Sequence, residues 1–366
     1  MSIQDARVSA ITPDLEVAKN APAAEPWQVI VKRWQVPSVV RACWQLVATL
    51  AVYIALWWGM YLSLEVSWWL TLPLAALAGA ILVRLFILFH DCGHGSFFPS
   101  RVANDMVGRV LGVLTFTPYL HWRMEHAIHH ATTCDLERRG VGDVWTMTVQ
   151  EYLAASRGKR FLYRLARNPI VLFGVAPVVL FLFLERWPRS GARARERWSV
   201  WFTNMALVGL VLGLGSLFGF LPYLVIQLVV MGIGGTIGVW LFYLQHQFED
   251  TYWERTEKWD YVTAALQGSS FYKLPKVLQW VTGNIGFHHI HHLNARIPNY
   301  NLERCHKAEP LFQTVRPITL FASLKAASLR LWDESSQKLV GWRHVRQLRR
   351  AAAASVSVGA GRKARG

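Results

Sequence analysis

A run of histidines in the last third of the sequence has the composition and spacing of a metal site. Four of the five residues from 288 to 292 are histidine. Neutral imidazole is the commonest nitrogen ligand for iron, zinc and copper in proteins. On a helix, positions i, i+3 and i+4 share a face, so His288, His291 and His292 can converge on one point while His289 points elsewhere.

Two further clusters repeat this spacing. His90 and His94 stand four positions apart, and the His-x-x-His-His pattern at 288–292 recurs at 126–130. A single histidine is more often a core or surface residue than a ligand, since it needs only one partner for each ring nitrogen. On that ground we leave out His121, His289, His306 and His344. The predicted ligands, which include one at the end of a long apolar stretch, are His90, His94, His126, His129, His130, His246, His288, His291 and His292.

Nine imidazoles are too many for one metal ion. A catalytic zinc uses about three protein ligands plus water, whereas two metals with four or five nitrogens each match the count. An all-imidazole dinuclear site with open positions suits iron and dioxygen activation, although zinc can occupy such ligands. Carboxylates are expected to orient the imidazoles through their second ring nitrogen. The alternative for each carboxylate is a solvated or arginine-paired surface position; the five carboxylates concerned are Asp91, Glu125, Asp135, Glu249 and Asp250.

The elements that must position these histidines are membrane-spanning helices. The chain is 53% hydrophobic and has 18 tryptophans, and apolar runs reach the roughly 20 residues that cross a bilayer. We predict an all-α polytopic membrane protein with four transmembrane helices in two hairpins, below a cytoplasmic helical cap that carries the metal site. The predicted spans are residues 43–63, 68–89, 200–219 and 222–244. Two shorter apolar pieces, 106–120 and 170–184, are predicted to be re-entrant or to lie in the interface, without a choice between the two.

Charge indicates the orientation and excludes one class of partner. The net charge of +16 comes from basic residues that concentrate between the apolar runs and in the tail. This is the bias expected of cytoplasmic segments, so we predict an inner-membrane protein with cytoplasmic termini and active site. No zinc-finger or RNA-binding motif accompanies the charge, and nucleic acid is not an expected partner. The four cysteines are scattered, which fits a reducing compartment.

The predicted organisation has three parts. Residues 1–41 are expected to be a disordered leader followed by an interfacial segment. Residues 42–335 are expected to form the integral-membrane domain, and residues 336–366 a basic, disordered tail.

Four motifs together resemble the membrane fatty-acid desaturase family. They are HDCGHGSFF at 90–98, EHAIHH at 125–130, QHQFEDTYW at 245–253 and GNIGFHHIHHLNARIPNYNL at 283–302. The resemblance covers about residues 40–335 and is greatest to bacterial acyl-lipid desaturases of the delta-5 and delta-12 kinds. It implies that the nine histidines hold two iron ions. In animal relatives an asparagine stands four residues before the ligand that corresponds to His246, whereas this sequence has Phe242.

The resemblance also implies a reaction and its partners. Dioxygen and two electrons would be used to place a cis double bond in the acyl chain of a membrane lipid or an acyl thioester. The sequence has no His-Pro-Gly-Gly haem motif, so electrons are expected from a separate ferredoxin- or flavodoxin-like carrier. An acidic carrier is expected to dock near Arg157, Lys159 and Arg160. Aromatic residues that could line an acyl groove are Trp145, Phe271, Tyr272 and Trp280.

Two other functions remain open from sequence. A hydroxylase or ketolase of the same superfamily would have the same site and yield an alcohol or ketone. A histidine-rich metal or proton transporter would need ionisable residues at mid-span, and the predicted spans have no charge at their middles. The bond position, the acyl carrier, the electron donor and the oligomeric state are not determined by the sequence.

Overall fold

Two helical hairpins form the long axis of the protein in the computed structural model, which describes residues 25–351. Within those residues, four helices are long and apolar enough to cross a membrane. This confirms the predicted all-α fold with four candidate spans. The four helices are α2 (Val39–Leu64), α3 (Trp68–His94), α9 (Ala194–Phe218) and α10 (Phe220–His246).

Polar side chains and glycines set the ends of these helices. The Ser38 and Ser67 hydroxyls accept hydrogen bonds from backbone N–H groups at the starts of α2 and α3, which satisfies donors that a helix start leaves unpaired. Gly95 ends α3 in the left-handed conformation, with φ of 68°, a geometry that glycine adopts without strain. Because α3 continues to this point, His90 and His94 lie on the same helix as the apolar span.

Close packing of α3 on α10 aligns the ends of the two hairpins. A Cβ atom added at Gly79 would lie 2.9 Å from Ile233, and one at Gly234 would lie 3.0 Å from the Gly79 carbonyl oxygen. Small residues of this kind let membrane helices approach closely. The contact brings the carboxyl ends of α3 and α10 together, and His94 and His246 are the last residues of those helices.

Shorter helices cover the ends of α3 and α10 and form the cap. Residues 106–120 belong to α4 and α5, which meet at a turn over 115–118. The helices of the cap are α1 (Trp27–Lys32), α4 (Arg101–Leu114), α5 (Tyr119–Thr132), α6 (Val149–Ala154), α7 (Arg157–Ala166), α11 (Tyr261–Gln267), α12 (Lys276–Val281), α13 (His288–Leu293), α14 (Asn299–Ala308), α15 (Pro310–Gln313) and α16 (Leu320–Ser323). A 3₁₀ segment, Leu324–Ser328, follows α16.

The segment 170–184 packs along α10. A π-helical turn (Val171–Val175) leads into α8 (Ala176–Leu182) and a 3₁₀ turn (Leu184–Arg186). The Thr236 hydroxyl donates a hydrogen bond of 2.6 Å to the Phe173 carbonyl. Together with α7 this segment is long and apolar enough for a span, but the pair is bent by 58°.

Five short strands tie the cap together. Strand β1 (Met147–Thr148) pairs in parallel with β4 (Leu331–Asp333), which pairs antiparallel with β5 (Lys338–Val340). Strand β2 (Phe271–Lys273) pairs in parallel with β3 (Pro317–Thr319).

The expectation of a disordered tail from residue 336 is wrong for residues 336–351. Strand β5 lies in this range, and residues 342–351 are helical. Buried Leu339 and Val345 anchor the segment, and Trp342 packs on Tyr152. The segment is basic in composition, and composition gave no indication that these few apolar residues would be buried. The rest of the predicted tail, 352–366, and the leader residues 1–24 lie outside the described residues.

The predicted interfacial segment includes α1, which is folded onto the cap. Ile30 and Val31 are buried in a cluster with Ile290, Leu302 and Phe312. The apolar side of α1 therefore packs against α13, which carries the last histidine cluster, and against the two helices that follow it.

Candidate metal centre

The nine predicted ligands come together at one end of the spanning helices. Helices α3, α5, α10 and α13 carry all of them, and their ring nitrogens form two groups. Within each group the ligand atoms lie within 4.8 Å of one another. The first group has five members, His90, His94, His126, His130 and His291; the second has four, His129, His246, His288 and His292.

The two groups cut across the sequence clusters. In α13, His288 and His292 belong to one group while His291 belongs to the other. In α5, His129 is likewise separated from the two histidines that stand four positions apart. The expectation that His288, His291 and His292 converge on one point is therefore wrong. His291 and His292 stand three and four positions after His288, and consecutive side chains on a helix are about 100° apart around its axis. These two side chains can therefore face two different centres.

The ring nitrogens face one another at short range. The Nε2 atom of His130 lies 3.1 Å from that of His126 and 3.1 Å from that of His291. In the second group the Nε2 atom of His246 lies 3.2 Å from that of His129 and 3.1 Å from that of His288. In each group, Nε2 atoms therefore point at one another, and neutral imidazoles do not carry enough protons to pair every inward lone pair. A bound cation would accept those lone pairs.

Unpartnered atoms and outward hydrogen bonds support the same fit. The buried Nε2 atoms of His94 and His292 have no hydrogen-bond partner among the described residues. The Nδ1 atom of His246 donates to the Gly268 carbonyl at 3.1 Å, and a donating Nδ1 leaves the Nε2 lone pair free for a metal. The donor sets therefore fit two transition-metal ions.

Burial keeps three of the predicted ligands in the cap neutral. Desolvation, reinforced by neighbouring histidines, lowers the pKa of His126, His130 and His292 well below the usual value. A neutral ring is the metal-binding form, so these side chains are in the ligating state at neutral pH.

One predicted carboxylate lies beside the site. An Asp91 oxygen is 3.4 Å from Nδ1 of His90. The other oxygen accepts hydrogen bonds of 2.7 and 2.9 Å from the backbone and side-chain nitrogens of Asn299. Asp91 therefore joins α3 to α14 and holds the first histidine cluster against the last.

The other four predicted carboxylates are engaged elsewhere, so the expectation that they orient the imidazoles is wrong. The Glu125 carboxylate lies 3.7 Å from Nε2 of His121 and 3.8 Å from Nε of Arg189. The remaining three pair with surface or loop cations: Asp135 with Arg138, Glu249 with Lys325 and Asp250 with Arg316. In the folded chain each of these carboxylates lies beside an arginine or lysine side chain instead of a ligand imidazole.

Sequence reasoning missed Asp143. Its carboxylate lies 2.7 Å from Nδ1 of His129. The preceding Gly142 has a φ of 67°, and a Cβ there would lie 3.2 Å from the Cβ of His129, so this turn brings the loop against α5. No spacing in the sequence links Asp143 to a histidine cluster; its only signal was a lone acid between Gly142 and Val144.

The histidines left out as ligands lie apart from both groups. The ring of His289 packs against Phe271 and His306 in the cap, and His344 pairs with Asp333. Phe242 lies one turn before His246, with its ring 5.2 Å from that of His129.

An apolar cavity of about 600 Å³ leads to the histidines. His90, His126 and His288 line one end, and α3, α8 and α10 supply the walls. Of the four aromatic residues expected in a groove, Trp145 lines this cavity. Phe271 and Tyr272 lie in β2, and Trp280 stacks on Arg84, so these three do not line it. Its volume is that of a typical small-molecule site.

A family model described as fatty acid desaturase matches residues 67–317, more than half of the chain. The chain belongs to the fatty acid desaturase family. A fatty acid desaturase from Bacillus subtilis (strain 168) is 47% identical over 312 residues, covering 85% of this chain and 89% of the relative. An sn-1 oleoyl-lipid 12-desaturase from Synechocystis is 28% identical, covering 67% of this chain and 70% of the relative. An sn-1 acyl-lipid omega-3 desaturase (ferredoxin) from Nostoc is 30% identical, covering 66% and 67%.

These matches confirm the resemblance seen in the four sequence motifs and give the chain a desaturase function. The histidine clusters of α3, α5 and α13 are the histidine boxes of that family in this chain. The membrane helices and the apolar cavity agree with an enzyme that acts on acyl chains.

Proposed function

We propose that the chain places a cis double bond in the acyl chain of a membrane lipid, with two iron ions held by its nine histidines. The observation that carries this proposal is the convergence of the two histidine groups at the end of an apolar cavity. The relatives named as acyl-lipid desaturases support a lipid-borne acyl chain as the substrate class.

The five-histidine group would hold one iron ion and the four-histidine group the other. Iron bound there would supply, with dioxygen and two electrons, the oxidising power that removal of hydrogen from an unactivated methylene requires. The protein's own part is to fix the rings. The Asp143 carboxylate and the Gly268 carbonyl hold the Nδ1 sides of His129 and His246, so that both Nε2 atoms point inward.

The cavity walls hold the acyl chain and exclude water. Leu82, Phe86, Met231 and Phe181 give it apolar sides, and a methylene pair at its histidine end would lie next to His90 and His288. Fixing one carbon pair at that place converts a diffusive encounter into a positioned reaction. Gly238 lines the wall, and a Cβ there would meet no atom of residues 25–351 within 4 Å, so this glycine leaves room for substrate.

The distribution of charge supports an orientation in the membrane. We place residues 42–335 in the inner membrane of a bacterium, with both termini and the histidine end on the cytoplasmic side. The basic residues of α7 and of the loop before α9 support this orientation.

A ferredoxin- or flavodoxin-like carrier would deliver the electrons. A cleft of about 560 Å³ is lined by His94, by Arg101 and Arg296, and by Arg123, which pairs with Asp105 at 3.1 Å. This basic surface suits an acidic carrier and leads directly to a ligand of the first group. The surface expected from sequence, around Arg157, Lys159 and Arg160, lies on α7.

Expression of the whole chain in a host that lacks unsaturated lipids, followed by fatty-acid profiling, tests the function. The expected product is a new cis double bond that requires iron, oxygen and reductant. An alcohol or ketone in its place would identify the hydroxylase or ketolase alternative. Absence of any product from inserted, iron-loaded protein with an active reductant would contradict the proposal.

A further inference from the structure

A second cavity, of about 510 Å³, adjoins the apolar one and is strongly basic. We name it the arginine cavity. It is formed where α7, the residue before β4 and the helix over 342–351 meet. Five arginines line it: Arg164, Arg167, Arg330, Arg346 and Arg349.

None of these arginines pairs with a carboxylate among residues 25–351. Arg167 is 1% exposed and Arg330 is 7% exposed, and the buried Nε atoms of both have no hydrogen-bond partner in the described part of the chain. Burial of a cation without a counter-ion is costly. The arginine cavity is therefore electrostatically incomplete and fits an anion.

Neutral contacts hold the guanidinium groups of Arg164 and Arg167 in place. Arg167 donates to the Gln247 side-chain oxygen at 2.8 Å and to the Leu329 carbonyl at 3.2 Å. Arg164 donates to the Tyr152 hydroxyl at 2.6 Å and lies over the Trp342 ring at 5.5 Å. These contacts fix the positions of the cations without neutralising them. Fixed guanidinium forks match phosphate oxygens in pairs.

Arg167 also lines the apolar cavity, so the two cavities share a wall. Trp145 lines the apolar cavity, and its carbonyl accepts a hydrogen bond from Arg167 at 3.4 Å. A molecule with its anionic group on the arginines would have an attached hydrocarbon chain beside the entrance of the apolar cavity.

The surroundings identify a membrane lipid as the source of the anion. Arg164 belongs to α7, which exposes Phe161, Leu162 and Leu165 to 65, 57 and 46% beside basic side chains. A helix with an exposed apolar side and a basic side lies in the membrane interface. The arginine cavity therefore opens at the depth of lipid head groups.

We propose that the arginine cavity binds the phosphate of an anionic glycerophospholipid, such as phosphatidylglycerol, whose acyl chain enters the apolar cavity. This rests on the proposed function, since it names the carrier of the acyl substrate. Among the described residues the cavity lining has five arginines and no carboxylate, so the cation of a choline or ethanolamine head group would be repelled there without a carboxylate to offset the repulsion. Selection is therefore for head groups with net negative charge.

The test measures lipid binding apart from turnover. Full-length protein is purified in detergent, and phosphatidylglycerol and phosphatidylcholine of identical acyl composition are titrated by native mass spectrometry. We expect Arg346→Gln with Arg349→Gln to weaken phosphatidylglycerol binding about tenfold, as expected for the loss of charge-assisted hydrogen bonds. The matched control is Arg343→Gln with Arg350→Gln, which removes the same charge from the same helix at exposed positions outside the cavity, and should change binding less than twofold.

Further measurements distinguish a lipid phosphate from other sources of phosphate, and lipid binding from the proposed reaction. His291→Ala should retain phosphatidylglycerol binding while losing product, so failure of the reaction and failure of the lipid site are distinguishable. Equal binding of phosphatidylcholine, or an equal effect of the two double variants, would overturn the proposal. So would displacement of phosphatidylglycerol by an equal concentration of inorganic phosphate or of acyl-coenzyme A.

Discussion

The carboxylate of Asp143 lies 2.7 Å from Nδ1 of His129, across a loop that no sequence pattern connects to the histidine clusters. His129 is the member of its cluster that joins the four-histidine group. The contact therefore fixes the ring that links α5 to the end of α10.

Asp143→Asn tests this contact. Loss of the negative charge should weaken metal affinity of the four-histidine group by about 10- to 100-fold, the usual effect of removing a partner that orients a ligating histidine. Competitive chelation of iron-loaded protein measures the effect, and one ion should leave before the other. The control Asp250→Asn, at an exposed carboxylate paired with Arg316, should not change either affinity. Unchanged chelation of Asp143→Asn would show that Asp143 serves packing alone.

Single histidine substitutions test the division into two groups. His291→Ala removes a ligand from the five-histidine group and His292→Ala one from the four-histidine group. Each variant should hold one of its two iron ions more weakly and lose it first to a chelator, while the other ion is retained because the neighbouring group stays intact. The measurement is metal content per chain on inserted protein during titration with the chelator.

His289→Gln is the matched control, since this buried neighbour lies outside both groups. It should lower thermal stability through lost packing with Phe271 and His306 but retain two iron ions. Early loss of an ion from His289→Gln, or unchanged retention of both ions by the two alanine variants, would contradict the assignment.

Gly238→Leu tests the apolar cavity as the acyl site. The new side chain would project from α10 into the cavity, where no atom lies within 4 Å of an added Cβ. Displacement of the substrate should lower kcat/KM for the longest acyl chain on the order of 100-fold, with a smaller effect on shorter chains. Gly232→Leu on the same helix also meets open space but lies outside the cavity lining, and its activity should match that of the unmodified protein. An equal response of the two variants would place the substrate elsewhere.

Charge reversal distinguishes the two basic surfaces. Arg101→Glu with Arg296→Glu, beside His94, should reduce kcat/KM for ferredoxin about tenfold at low salt, because electrostatic steering of an acidic carrier is lost. The difference should shrink as salt rises, and turnover with a small chemical reductant should be unchanged. The comparison pair, Lys159→Glu with Arg160→Glu on α7, should leave the ferredoxin rate within twofold. The reverse ranking would move the docking surface to α7.

Much of the site was predictable because its signals are local. Four apolar runs predicted the spans, repeated spacings predicted eight of the histidines that the fold brings together, and the position of His246 at the end of an apolar run predicted the ninth. The basic tail was mispredicted, because Leu339 and Val345 bury themselves against distant segments and composition alone does not show such contacts.

By itself, the sequence determined that long apolar helices end in histidines at ligand spacing, because helical periodicity and span length are properties of consecutive residues. Only the tertiary structure decided how those histidines divide, with His291 turned to one group and His292 to the other. It alone brought Asp143 to His129 and Arg330 to Arg167, since these contacts depend on the docking of loops and the cap rather than on spacing along the chain.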